Sequence, residues 1–155
     1  MPHGQQGCGA GVDAEKLKKI GEAFVSALPH SADLGMVLDA LEPGIAEISM
    51  PWREDLVGDP STGVIHGGAV SALIDTTCGA AVVVHPENGG STATLNLRID
   101  YMRAARPGAR VRAHATCYHV TQTVAFVRAE AHDDDLDHPV ATAAAAFTFK
   151  RRGSD

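Results

Sequence analysis

Apolar positions along the chain change period three times, and each change marks an element. After a Gly- and Gln-rich start over residues 1–12, Leu17, Ile20, Phe24 and Leu28 recur at helical spacing. The spacing predicts an amphipathic helix capped by Asp13 and ended before Pro29. From Leu34 to Met50 two strand-like runs flank Glu42, Pro43 and Gly44, which reads as a hairpin. Residues 53–65, "REDLVGDPSTGVI", carry Gly, Pro, Asp and Ser without period and read as a loop. His66 to Val84 is helical in length and apolar on nearly every side, so other structure should wrap it.

The remainder reads as four strands. Thr92 to Met102 alternates, with Ala93, Leu95, Leu97, Ile99 and Tyr101 on one face and Thr94, Asn96, Arg98 and Asp100 on the other. A turn at Pro107 and Gly108 leads into Arg110–Val120, then Thr123–Ala131, then "HDDDLDHP" as a last turn before Val140–Lys150. Helix, two strands, buried helix and four strands form an α+β pattern, in which an antiparallel sheet wraps the second helix. No repeat or linker marks a second domain, and 155 residues suit one. Residues 1–30 are read as a tail and short helix, and 31–152 as the single folded domain.

Composition narrows the function. Hydrophobic residues make up 45% of the chain but aromatics only 5%, so Ala, Val, Leu and Ile must fill the core. A net charge of −6 argues against nucleic acid as a partner. Cys8, Cys78 and Cys117 are odd in number and lack metal-ligand spacing, which fits a reducing cytoplasm. The N-terminus has no secretory pattern. The longest apolar run is broken by Ser, Asp, Thr and Gly, which predicts a soluble protein that does not enter membranes.

Candidate chemistry sits in "HGGAVSALIDTTCGAA", residues 66–81. Gly67 and Gly68 at a helix start leave first-turn N–H groups open, where the helix dipole favours an anion or an oxyanion; the same glycines serve close packing equally well. Asp75 is a carboxylate on a helix that is apolar all round, and desolvation makes such a group costly unless something offsets it. A hydrogen bond to Thr76, Thr77 or the backbone is one answer; a role as general base or nucleophile is the other, and the better supported. His66 and Asp75 lie nine positions apart, on opposite sides of the helix and roughly 13 Å apart along its axis. If both serve one site, the symmetric solution is a dimer in which His66 and Gly67 of one copy face Asp75 of the other. His132 to His138 reads as a solvated turn and Cys78 as a packed core residue. Arg103, Arg106, Arg110, Lys150, Arg151 and Arg152 read as surface cations at strand ends.

The helix string, followed by "TATLNLRIDYMRAARPG" and "AFVRAEAHDDDLDHPVATAAAAFTF", resembles the hotdog-fold acyl-CoA thioesterases of the PaaI type over roughly residues 34–150. The resemblance implies a hotdog fold, edge-to-edge dimers that often pair into tetramers, and hydrolysis of an aryl or aliphatic acyl-CoA without a metal or redox cofactor. It implies that Asp75 is base or nucleophile, that the Gly67 N–H polarises the thioester carbonyl, and that His66 orients the carbonyl or the preceding loop. Thr94 takes the position of a Ser or Thr found beside the acid, although alternation puts it on the polar face, so a bulge or the dimer seam must bring it in. Pro60 stands where many members have Asn or Gln, with Asp59 as a replacement. A protein that binds acyl-CoA or an acyl carrier without turnover is the alternative.

Overall fold

The structure is a computed structural model describing residues 14–153, so the Asp13 cap and Cys8 lie outside the described residues. It has two short helices, α1 (Ala14–Ala27) and α2 (Pro29–Asp33), and a long one, α3 (Gly67–Val83). Its strands are β1 (Val37–Glu42), β2 (Ile45–Met50), β3 (Val57–Asp59), β4 (Val64–Ile65), β5 (Thr94–Tyr101), β6 (Val111–Val120), β7 (Val124–His132) and β8 (Ala141–Thr148). Six of them form one antiparallel sheet in the order β1-β2-β6-β7-β8-β5. The hairpin between β1 and β2 turns at Gly44, whose φ of +74° suits a residue without a Cβ.

The sheet curls around α3, which lies chiefly across β2, β6 and β7. Ala113, Ala115, Ala129 and Ala131 are buried on these strands, so the helix sits close to the sheet. Val70, Leu73, Ile74 and Val82 of α3 are almost fully buried against them. Small residues on the sheet and branched ones on the helix thus build a dense core with few aromatics. A sheet wrapped around one central helix is the hotdog arrangement expected from the resemblance. The strand β5 occupies one edge and, among the described residues, pairs only with β8.

Several local expectations change. Pro29 does not merely follow a helix; it opens α2, where its missing N–H costs nothing. The buried stripe of α1 is Leu17, Gly21 and Val25, while Ile20 and Leu28 are exposed, because the helix rolls onto β1. A Cβ on Gly21 would overlap the Leu41 and Leu38 side chains, so this glycine permits the close approach. Residues 53–65 are not a plain loop. A 3-10 turn at Glu54–Leu56 precedes the two-stranded β3–β4 hairpin, which the Trp52 indole N–H ties to the Gly63 carbonyl at 2.9 Å.

The turn after β7 is the largest departure. Asp133 is buried rather than solvated, and its carboxylate accepts hydrogen bonds from Arg103 Nη1 and Nη2, each at 2.7 Å, and from the backbone N–H groups of Arg106 and Asp135 at 2.9 Å. Arg103 is therefore an internal brace, not a plain surface cation, and it also donates to the His138 carbonyl. Sequence spacing could not pair residues 30 positions apart.

Candidate active site

The helix α3 begins where the β3–β4 hairpin ends, and His66 is its N-cap. The His66 N–H donates to the Leu56 carbonyl at 2.8 Å, fixing the helix start against the hairpin. Its ring Nδ1 accepts the Gly68 N–H at 2.8 Å, so the ring points back over the first turn. The remaining first-turn donors divide unequally. Ala69 and Val70 donate to the His66 carbonyl, which leaves the Gly67 N–H as the one without an acceptor among the described residues. The two glycines thus differ in purpose. A Cβ on Gly68 would fall 2.8 Å from His66 Nδ1, so its absence serves packing and capping. At Gly67 the nearest neighbour of an added Cβ is the Tyr101 hydroxyl at 3.6 Å, an ordinary van der Waals contact, so nothing in the packing forbids a side chain there.

A cavity of about 380 Å³ adjoins Gly67. Val64, Ile65, Val70, Met102, Ala105 and Val140 make its wall largely apolar. A second cavity of about 280 Å³ lies beside His66 and Gly68 and carries His30 and Asp55. The start of α3 therefore separates an apolar recess from a more polar one.

Two helical turns on, Asp75 is half-buried, not enclosed on all sides. Ser71, Ala72 and Thr76 are half-buried too, so α3 leaves one side incompletely covered within the single chain. The offset for the carboxylate is neither Thr76 nor Thr77. Thr77 donates to the Leu73 carbonyl within the helix, whereas the Thr94 hydroxyl donates to Asp75 Oδ1 at 2.8 Å. A β-bulge brings Thr94 there: pairing with β8 shifts between Thr94 and Asn96, so Thr94 opposes buried Phe147 as Leu97 opposes buried Ala145. The extra residue, Leu95, turns outward and is 57% exposed. Strict alternation therefore fails at this strand's start, and the bulge re-aims one hydroxyl toward the acid.

Cys78, one turn beyond Asp75, is fully buried; burial and the nearby carboxylate push its thiol up to about 12, which suits core packing rather than nucleophilic attack. Asp59 is committed elsewhere. Its carboxylate accepts the Ser61 hydroxyl and N–H and the Thr62 hydroxyl, which hold it below the ordinary carboxylate range and lock the hairpin tip around Pro60. Neither residue supplies the missing amide. Sequence reasoning also passed over Tyr101 and Ser71: the Tyr101 hydroxyl donates to the Gly67 carbonyl at 2.6 Å and lies 2.6 Å from Ser71 Oγ. The i, i+4 spacing of Gly67, Ser71 and Asp75 was a usable signal for that face.

A profile of the Thioesterase superfamily matches residues 62–140, just over half of the chain, and spans the helix start, Asp75 and Thr94. The chain belongs to the thioesterase superfamily. Among its relatives, the medium/long-chain acyl-CoA thioesterase YigI of Escherichia coli (strain K12) is 27% identical over 86% of this chain and 93% of its own length. A Pseudomonas aeruginosa protein of known structure is 39% identical, covering 85% of this chain and 98% of that one, with a TM-score of 0.77. The Escherichia coli PaaI protein from the phenylacetic acid degradation operon, 18% identical, covers 88% and 94% with a TM-score of 0.77 and shares the fold. This thioesterase-superfamily chain has, among its described residues, no helix long and apolar enough to cross a membrane.

Proposed function

We propose that the protein hydrolyses the thioester of an aliphatic or aryl acyl-CoA to the free acid and coenzyme A. One observation carries the assignment of roles: Asp75 is held by a single hydroxyl on the open side of a helix whose first N–H, that of Gly67, has no acceptor among the described residues. A thioester needs both groups. Attack on its carbonyl carbon builds negative charge on oxygen, which an N–H at a helix start stabilises. Asp75 either takes a proton from the attacking water or attacks the carbon itself, giving an anhydride that water cleaves. In the first course the tetrahedral intermediate breaks its C–S bond and expels the thiolate of coenzyme A; in the second the C–S bond breaks and the thiolate leaves as the anhydride forms, before water attacks it. His66 orients the carbonyl from the N-cap, and Thr94 aims the carboxylate.

Gly67 and Asp75 are eight positions apart, about 12 Å along the helix, whereas reacting atoms must meet within about 3.5 Å. Each site is accordingly shared: Gly67 and His66 come from one copy and Asp75 from a second. The exposed edge strand β5, with Leu95, Tyr101 and the Met102 that follows it about half exposed, supports edge-to-edge pairing of two copies, and two such dimers can assemble as a tetramer. The apolar recess beside Gly67 suits the acyl group. Buried free Cys78 and Cys117 accord with a cytoplasmic protein.

The test is thiol release from a panel of aryl and aliphatic acyl-CoA thioesters by wild type and Asp75→Asn. Turnover that vanishes in the variant supports hydrolysis; tight binding of acyl-CoA without turnover by wild type points to a binding protein instead. Mixing Asp75→Asn chains with Gly67→Pro chains tests sharing, since one intact site per heterodimer should restore activity. Verified heterodimers that remain inactive would overturn it.

A further inference from the structure

Two consecutive glycines make the start of α3 the softest stretch of that helix, because neither carries a Cβ to restrict φ and ψ. The donor to a developing oxyanion must nevertheless be held to within a fraction of an ångström, since a misplacement of 1 Å can cost about a hundredfold in rate. Something must stiffen this turn. On one side the His66 ring accepts the Gly68 N–H. On the other, two hydroxyls converge on the carbonyl of Gly67: Tyr101 Oη donates to it at 2.6 Å, and Ser71 Oγ lies 3.1 Å from it and 2.6 Å from Tyr101 Oη. The Tyr101 ring also covers the bare face of Gly67, with its hydroxyl and ring carbons 3.6–3.9 Å from where a Cβ would stand.

We propose that Tyr101, seconded by Ser71, is a positioning residue: by fixing the Gly67–Gly68 peptide it limits φ and ψ at Gly67 and so holds the preceding His66–Gly67 peptide with the Gly67 N–H facing the thioester oxygen. The proposal rests on the reading of Gly67 as the oxyanion donor. Tyr101 touches no reacting atom in this scheme; it acts through the backbone. From the Tyr101 hydroxyl the hydrogen bonds run through the Gly67 carbonyl and the Gly68 N–H to His66 Nδ1. With Nδ1 accepting, a neutral ring carries its proton on Nε2, which can then donate to substrate. Tyr101 thereby orders the N-cap imidazole as well as the glycine turn.

The same strand holds the other half of the chemistry. Thr94 opens β5 and bonds Asp75, and Tyr101 closes β5 and bonds Gly67. One edge strand therefore splints both functional points of α3, and in a dimer with shared sites its two ends serve different sites.

The experiment compares the full chain with Tyr101→Phe, Ser71→Ala and the double variant, reading kcat and KM for an acyl-CoA, the melting temperature, and amide exchange at Gly68 together with the His66 ring nitrogen shifts by NMR. Tyr101→Phe keeps the ring and removes only the hydroxyl. It should lower kcat about tenfold with KM within about twofold. The double variant should lose about a hundredfold, because either hydroxyl alone still reaches the Gly67 carbonyl and the two effects are coupled. Gly68 exchange should quicken and the His66 ring shifts should move, at an unchanged melting temperature. Wild-type kcat in the double variant would overturn the proposal; so would kcat, KM and melting temperature all worsening together, which marks a scaffold contact. If wild type turns over no acyl-CoA, the hydrolase reading fails, and Gly68 exchange still decides: faster exchange in the variants supports the positioning role, and unchanged exchange overturns it.

Discussion

Asp75 in the middle of α3 and Asp133 at the end of β7 are both aspartates held in the fold by a residue from another element, yet their surroundings are opposite. Asp133 is wholly shielded and accepts four N–H donors, two from Arg103 and two from the backbone. The Arg103 guanidinium, outweighing the cost of burial, holds its carboxyl well below the usual carboxylate range. Asp75 is half-buried and has one partner among the described residues, the Thr94 hydroxyl. A saturated carboxylate is spent on structure: it pins the loop carrying Met102 to Ala105, the outer wall of the apolar recess. A carboxylate with one bond is aimed but keeps lone pairs for a water or a carbonyl carbon. Occupancy of hydrogen-bonding capacity, more than burial, separates the two.

Exchanging charge for amide at each position should pull the two apart. Asp75→Asn should cut turnover by about 10²–10⁴-fold while leaving the melting temperature near wild type, read by thiol release and thermal denaturation. Asp133→Asn should do the reverse. It leaves Arg103 short of its counter-charge and should lower the melting temperature by about 5–10 °C, with turnover at low temperature affected far less. Equal loss of activity in both variants would erase the distinction.

A smaller effect tests the aim of Asp75. Thr94→Val keeps the shape of the bulge residue but removes the donor, and kcat should fall about tenfold with little change in stability. The smallest effect concerns pH. The folded state holds the Asp133 pKa below its unfolded value of about 3.9, so its contribution to stability is complete above that pH and is lost as pH falls toward the folded value. Urea midpoints should therefore decline below about pH 4, and Asp133→Asn should flatten that decline. A variant with the wild-type slope would show that other carboxylates carry it.

Periodicity alone disclosed most of the architecture. The apolar run of 66–84 and the alternating strands after it are determined by local sequence, because which face a residue presents follows from 3.6-fold and twofold repeats. The pair of glycines and the isolated acid were visible for the same reason: each breaks a pattern that is otherwise apolar. The pairing of Arg103 with Asp133 was not visible, and neither was the commitment of Asp59 to its own turn, since both depend on what neighbouring groups occupy.

The bulge at Thr94 marks the boundary between the two kinds of knowledge. Sequence supplies Thr94 and an alternation that points it away from α3; only the register against β8 adds the extra residue that turns it back. Tyr101 is the converse case, a residue whose apolar face was legible while its hydroxyl's partner, Gly67, lies 34 positions away. Local pattern determines which side of an element a side chain takes. Register and packing decide what it meets there, because hydrogen bonds form at distances of about 3 Å, which no one-dimensional repeat specifies.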